Sequence, residues 1–445
     1  MTWNVLYAID VLTIFLFAIS YYRNCYRRGY RIDFWHVQLF LVCVLPNFVL
    51  LPFAKSELNG LVLGADLTAV INVLPNVFLL TLLGYFAVLT GGHLWRFRLG
   101  LGLRNAMIRV LDIVPQCSIM IMSSRSVLVF QSLLCLSLQL LVLAAYFTHS
   151  GFGFDLRAYT MANPALRPIA LVVSTYSLVI ASHCLARYVD QKEKTLLACT
   201  VLLTVGMIFF GSRGNILAIY INVLLCYLVK LRAKISLFRL TSMISVIIVV
   251  GLYLGNVRAG RYSLGAFFSV LASLLLYGDT FSDLRDFAWV YAKWDHVFWA
   301  GRTYLAALMA FVPRVASQFR DSWGMGVATA TTVGFDPQVH PGLRPGAFGE
   351  AFFNFGWLGV ILVGLMLGII FRRVDIDVKR AISPPRPSMM KAFSSTMLLS
   401  VAGSLAITAG FSGLYILGGI YLFSWLCLRV LDMVQPRQTS LAEAD

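Results

Sequence analysis

Stretches of about twenty apolar residues recur along the whole chain, at roughly 2–20, 34–53, 66–90, 126–147, 168–186, 195–210, 215–229, 240–255, 347–371, 392–409 and 411–428. A helical run of that length covers the ~30 Å hydrocarbon core of a bilayer. No water-soluble fold hides eleven of them. With 59% of its 445 residues hydrophobic and only 13% charged, the chain leaves no room for a large soluble domain. The expectation is an all-α, polytopic membrane protein of about 11 transmembrane helices, a single integral membrane domain over 1–445.

The 36 Lys and Arg outnumber the 20 Asp and Glu, for a net charge of +16, an excess that in a soluble protein would point to nucleic acid. Here the basic residues sit between the apolar runs. With the N-terminus outside, 24 of the 36 fall on the inner side, beginning with Arg23, Arg27, Arg28 and Arg31. The positive-inside rule then sets N-out and C-in, and membrane lipid rather than nucleic acid is the anionic neighbour. No Lys or Arg precedes the first run and no small-residue cleavage site follows it, so it reads as a retained span. The eight cysteines lie in spans or inner loops, without disulfide or zinc spacing. Pro46, Pro52 and Pro75 read as kinks within spans.

The longest loop, 256–345, falls outside and is no passive connector. Its apolar patches 265–277 and 297–312 read as interfacial or re-entrant helices, the first being short for a span and the second carrying Arg302 at its middle. Reading both as spans would move Asp279, Asp283, Asp286 and Asp295, against only Arg285 and Lys293, to the inner side, where that sign is wrong. The loop holds Arg258, Arg261, Arg285, Lys293, Arg302, Arg314, Arg320 and Arg344 beside Trp289, Trp294, Trp299 and Trp323. Guanidinium forks clamp phosphate oxygens and flat aromatic rings offer apolar faces to sugars, which suits a phosphorylated glycan. The same mixture suits an aromatic belt at the headgroup level. Arg213 stands out in the tight outer turn Gly211-Ser212-Arg213-Gly214-Asn215, because charge at the membrane boundary is costly. A second outer loop, 147–167, brings His149, Asp155, Arg157 and Tyr159.

Four of these motifs, in order along 140–371, resemble those of the Wzy-type polymerases of lipid-linked oligosaccharides, the O-antigen and enterobacterial common antigen polymerases. They are Phe147-Thr-His149-Ser-Gly151-Phe152 with Arg157 and Tyr159, then Gly211-Ser-Arg213-Gly-Asn215-Ile216, then Asp279-Thr280-Phe281-Ser282. The last is His340 with Gly342-Leu343, followed by Glu350 and Asn354-Phe355-Gly356. O-antigen ligases share a similar small-Ser-Arg-Gly turn.

The resemblance implies a GT-C-type glycosyltransferase in the bacterial inner membrane, its active site facing the periplasm. Such an enzyme joins repeat units carried on undecaprenyl diphosphate, without metal, cofactor or nucleotide sugar. Arg213 is then the first choice to stabilise the departing diphosphate, and His340 the base for the acceptor hydroxyl, with Asp279 and Glu350 as alternatives. Arg157, His149, Arg258, Arg261, Arg285 and Arg344 are expected to bind substrate. A chain-length-determining co-polymerase is the partner expected by the same resemblance. The competing readings are an O-antigen ligase, which differs in its acceptor, and a transporter that flips the lipid-linked repeat.

Overall fold

A computed structural model describes residues 3–54, 67–95, 101–150, 156, 159–160, 163, 166–210, 213–232, 236–258, 263–276, 282–312, 316–337 and 342–434. The described residues form helices and no strand. Among them, seven helices are long and apolar enough to cross a membrane: Trp3–Asn24, Phe34–Phe53, Thr68–Leu94, Arg125–His149, Leu166–Gln191, Gly346–Ala381 and Thr408–Leu431. Lys194–Phe209 and Ile216–Leu231 are shorter apolar helices. Every apolar run named above lies on a helix. One long helix, Leu101–Ser123, occupies a stretch that hydropathy left as an inner loop. Arg104, Arg109 and Asp112 interrupt its apolar sequence, which hides a helix from a reading based on uninterrupted apolar length.

The chain divides into two compact units. The first comprises Met1–Arg109, Tyr227–Ser383 and Leu398–Leu414, and the second Val110–Cys226, Pro384–Met397 and Tyr415–Asp445.

In the first unit, α1 (Trp3–Arg28), α2 (Phe34–Leu39) and α3 (Leu67–Leu94) succeed one another, with α4 (Leu101–Ser123) starting here. α2 continues as a π-helix over Phe40–Val49, in which Leu50 N–H reaches Leu45 O at 3.2 Å. Pro46, which has no N–H and crowds the preceding turn, sits inside that π segment; the widened turn is how the span absorbs it. α1 and α2 run antiparallel, with Ser20 Oγ 3.2 Å from His36 Nε2 and Phe17 stacked on Phe40. α2 and α3 do likewise, Phe48 meeting both Phe78 and Tyr85 edge-on.

α3 also packs along a helix from the far end of the chain, Gly346–Ala381. A Cβ on Gly91 would stand 2.3 Å from Leu365 O, one on Gly364 2.8 Å from Gly84 O, and one on Gly368 2.0 Å from Val88 O. From Gly84 with Gly364 to Val88 with Gly368 the pairing advances four residues on each helix, so the two are parallel and their backbones touch. Lipid gives apolar helices no hydrophobic reason to associate, so such small-residue contacts, with their dispersion, carry the association.

The Gly346–Ala381 helix is broken at Gly356, whose φ 63 and ψ −155 only glycine adopts at ease. Residues 346–355 fold back beside 357–381: a Cβ on Gly359 would meet Ala351 O at 2.4 Å, and the Phe348 ring lies on Gly84. The hydropathy reading made 347–371 a straight span; its first turns are instead a short helix laid against α3.

The second unit contains α5 (Arg125–Ser150), α6 (Leu166–Gln191), α7 (Lys194–Phe209) and most of α8 (Arg213–Leu231). Gln139 Nε2 donates to Ser177 Oγ at 2.9 Å and Leu203 O at 3.2 Å, tying α5, α6 and α7 together. A Cβ on Gly206 would collide with that Gln139 amide at 2.0 Å. The far half of α4 is fixed to α6 by Ser118 Oγ to His183 Nε2 at 2.8 Å, and by Arg187 Nη1 donating to Met122 O at 2.8 Å.

The long loop is folded. It follows α9 (Leu237–Arg258) with α10 (Leu264–Leu276), α11 (Asp283–Lys293), α12 (Arg302–Leu308), α13 (Gln318–Trp323) and α14 (Met325–Val333). α10 has 13 residues and α12 has seven, both short of the ~20 that a span requires. α15 (Gly346–Ala381), α16 (Met389–Ala406), a 3-10 turn at Thr408–Gly410 and α17 (Phe411–Val434) complete the described residues.

The glycine contact makes a direct prediction. Gly91→Ala should lower the melting temperature in detergent, an overpacking cost of about 1–3 kcal/mol. Gly403→Ala in α16, with nothing within 4 Å of the added carbon, should stabilise by roughly 0.5–1 kcal/mol through helix propensity. Equal effects at the two sites would refute the backbone contact.

Candidate functional site

The helix α11 places the first group of polar residues. Leu284, Phe287, Ala288, Trp289 and Val290 are buried, so one apolar side of the helix docks on α3 and the start of α15. Asp283 and Asp286 occupy its first turn and Lys293 its last, the arrangement that the helix dipole favours. Asp286 is the centre of the group. Its Oδ2 accepts from Ser282 Oγ at 2.9 Å and from the backbone N–H of Arg344 at 3.2 Å, and its Oδ1 from Arg285 Nε at 3.0 Å. The buried carboxylate thereby joins two stretches 58 positions apart. One follows directly on Asp279-Thr280-Phe281, and the other begins two residues after His340.

Asp283 lies beside it, partly exposed, against the turn at Gly346. That glycine has φ 69, and a Cβ there would stand 2.7 Å from Asp283 Oδ2. Burial pushes the Asp283 carboxyl up to about 7, the neighbouring Asp286 adds to the rise, and Arg344 offsets part of it. Burial raises Asp286 as well, against the pull of Arg285 and its hydrogen bonds. Burial thus raises both carboxyls, with arginine charge opposing the rise at each.

A second group lies on the folded-back helix 346–355. Glu350, 1% exposed, accepts from Thr303 Oγ1 at 3.3 Å, from Thr408 Oγ1, and from Thr408 N at 3.1 Å. Asn354 Nδ2 donates to Thr303 Oγ1 at 2.8 Å and to Glu350 O at 2.9 Å. Three stretches, 302–308, 346–355 and 408–410, are held by these two side chains.

Aromatic rings fill the space between the groups. Trp299 N–H donates to Phe353 O at 2.8 Å and its ring lies 4.9 Å from that of Phe353. Trp294 donates through Nε1 to Val297 O at 2.8 Å and packs on Phe352 and Phe353. Trp289, Trp294 and Trp299 are all buried. The expected sugar-facing aromatic platform is therefore not formed by these three, whose rings are core. Trp323 is only partly buried, and the exposed Arg302 guanidinium rests 4.7 Å above its ring.

Of the residues singled out in the sequence, Arg285, Arg344 and Glu350 fall in the first unit. Arg285 and Arg344 meet at Asp286, whereas Glu350 is engaged with Thr303 and Thr408. His149 is exposed at the end of α5 in the second unit, its ring 5.3 Å from that of Tyr159. Arg157, Arg261, Asp279 and His340 lie outside the described residues, as do the side chains of Arg213 and Arg258; the backbone of Arg213 opens α8. Among the described residues, no three His, Cys, Asp or Glu side chains converge as metal ligands.

Sequence reasoning passed over Asp286 as a hub, and over Thr303 and Thr408, and named Asn354 only within a motif. Asn354 had a signal, standing i+4 from Glu350 and so on the same helical face. The two threonines had none. No family model, curated protein or solved structure matches the chain.

The proton on Asp283 is bound more tightly folded than unfolded. Stability from this group is therefore complete below the ordinary carboxylate range and is lost as pH rises toward about 7. Asp283→Asn removes the titration. Its melting temperature relative to wild type should climb between pH 4 and pH 7 and level off above. A pH-independent difference would show that water already solvates the carboxylate.

Proposed function

We propose that the protein is a polymerase that joins oligosaccharide repeats carried on undecaprenyl diphosphate, working at the periplasmic face of the bacterial inner membrane. The resemblance of four ordered motifs carries the reading. One geometric observation supports it: Ser282, which ends one motif, and Arg344, which follows Leu343 of another, both donate to a single carboxylate, Asp286.

The topology of this reading is N-out and C-in, with about 11 spans in a GT-C-like arrangement. The grouping of helix ends that it requires is supported by the partners those ends choose. The inner end of α2 contacts the inner end of α15, Lys379 Nζ lying 3.4 Å from Asp33 Oδ2. The inner end of α6 contacts the start of α16, where Asp190 accepts from Met389 N at 2.7 Å and Met390 N at 2.9 Å. Arg232 stacks on Tyr30, inner loop on inner loop. The Glu350 contacts with Thr303 and Thr408 join outer stretch to outer stretch.

In the proposed reaction, the acceptor hydroxyl oxygen forms a bond to the anomeric carbon of the donor glycan. The bond from that carbon to the diphosphate oxygen breaks, and undecaprenyl diphosphate leaves with the electron pair. The hydroxyl proton passes to a base, for which His340 and Asp279 are the choices. Asp283, whose carboxyl burial pushes up to about 7, joins them. Arg213 meets the charge growing on the diphosphate, with Arg258, Arg261 and Arg344 alongside. Losing one such preorganised contact costs ~3 kcal/mol of barrier. Glu350, with both oxygens accepting hydrogen bonds, is the weakest of the bases named.

One observation favours the transporter reading instead. Asp10 is buried at 3% exposure inside the first span, and its Oδ1 has no hydrogen-bond partner. Acids placed so in membranes mark ion or proton paths.

Deleting the gene and resolving surface glycans on a gel separates the readings. Single-repeat products in place of a ladder support polymerase. A full ladder that accumulates unattached supports ligase, and no repeat at the surface supports transport. In the complemented strain, Arg213→Ala and Arg213→Lys should both abolish polymer at unchanged protein level, since lysine lacks the bidentate fork. Purified protein should polymerise in chelator. Activity stopped by chelation and restored by Mg²⁺ would defeat the mechanism.

A further inference from the structure

The surroundings of Glu350 fit neither a base nor a cap of its own helix. A base needs an oxygen free to take a proton from substrate, and both oxygens of this carboxylate are engaged inside the fold, at 1% exposure. A cap would bond to its own helix, whereas Glu350 accepts from residues 47 and 58 positions away.

What it holds is α12, a seven-residue helix too short to persist alone. Thr303, fully buried, is its second residue, and its hydroxyl both donates to Glu350 and accepts from Asn354. The adjoining chain is fixed to the same folded-back helix by Trp299 N–H on Phe353 O, and by Phe355 packed against Gly301 and Tyr304. The residue next to Thr303 is Arg302, exposed, its guanidinium carbon 4.7 Å from the centre of the Trp323 ring. A guanidinium held over an aromatic face loses rotamer freedom, and its fork of N–H donors is the group that grips a phosphate bidentately.

We propose that Glu350 is a positioning residue. It registers α12 on helix 346–355 so that Arg302, braced on Trp323, meets a phosphate group of the lipid-linked substrate. The phosphate half of this inference rests on the polymerase reading, while the positioning half does not.

The test uses the full-length protein in vesicles of low and of high phosphatidylglycerol content, with purified lipid-linked repeat as substrate. Glu350→Ala, Thr303→Val and Arg302→Ala should each raise KM about 10- to 100-fold, as expected of a displaced binding group, with kcat little changed. Thr303→Ser, which keeps the hydroxyl, should restore the wild-type KM. The Glu350→Ala/Arg302→Ala pair should be no worse than the worse single variant, because one residue acts through the other. The pH profile of Glu350→Ala should match wild type.

A collapse of kcat with loss of one limb of that profile would make Glu350 the base and overturn the proposal. So would a normal KM for Thr303→Val, or additive single defects. A defect of Arg302→Ala that appears only as an altered response to phosphatidylglycerol would assign the guanidinium to bulk headgroups and overturn the substrate contact.

An independent readout needs no turnover. A cysteine at the exposed Leu305 of α12 should react faster with a soluble maleimide in the Glu350→Ala and Thr303→Val backgrounds, and at the wild-type rate with Thr303→Ser. Unchanged rates overturn the positioning role. If wild type turns over no lipid-linked repeat, the polymerase reading and the phosphate contact fail together, and labelling still decides the positioning role.

Discussion

The contact between α3 and the 357–381 stretch of α15 is the one on which the rest of the first unit depends. Gly84 and Gly91 on α3, with Gly364 and Gly368 on α15, let two backbones approach to where any side chain would collide. In lipid, dispersion and close packing replace the hydrophobic drive that joins helices in water. The contact has a second consequence. With α15 pressed along α3, the chain entering it must arrive from the same side, and the break at Gly356 turns residues 346–355 back along the pair. Phe348 then closes on Gly84, and Gly349 leaves room for Phe287 of α11. The long loop is docked because the helix it leads into is bent.

Apart from Asp10, the charged side chains described in the spans of the unit collect near their ends. Around Asp33 the ends of α1, α2 and α15 share a network: His36 Nδ1 lies 2.8 Å from Asp33 Oδ1, Lys379 Nζ 2.8 Å from Asp375 Oδ1, and Arg372 packs over Trp35. A charge drawn toward the bilayer centre costs several kcal/mol. Helix ends are where paired charges keep partial hydration and still fix helix against helix. A buried pair of this kind is poor proof of stability. It specifies which ends belong together, and a slipped helix would leave Asp33 or Asp375 buried without a cation.

The legible part of the fold was the part governed by apolar length. Each run of about twenty apolar residues is a helix because the backbone in lipid has to satisfy its own hydrogen bonds. Helix α4 escaped because Arg104, Arg109 and Asp112 shorten its apolar run without disturbing its helical propensity. The break at Gly356 escaped for the opposite reason: a glycine among apolar residues looks the same whether it eases packing or reverses the chain. At the site, composition flagged Trp289, Trp294 and Trp299 as available faces, and packing took all three into the core. Asp286 was visible only as one acid among four. Its role as a junction depends on Ser282 and on a backbone N–H at Arg344, and no side-chain pattern announces a backbone donor.

The residues Glu350, Asn354 and Gly356 acquire a joint meaning from this geometry. The turn at Gly356 removes the continuous ladder that would otherwise fix 346–355 to 357–381, so side contacts have to hold that short helix in place. Glu350 and Asn354, one turn apart, present their polar groups on one face, and both reach Thr303. At the other end of the same helix, Gly346 lies against Asp283, and Arg344 donates to Asp286. From 346 to 354 a helix rises about 12 Å. The segment is a strut of that length, with the acid–arginine group at one end and the α12 attachment at the other. Displacing either end shifts the other, because a ten-residue helix transmits rotation and translation as a rigid piece while the glycine behind it resists neither.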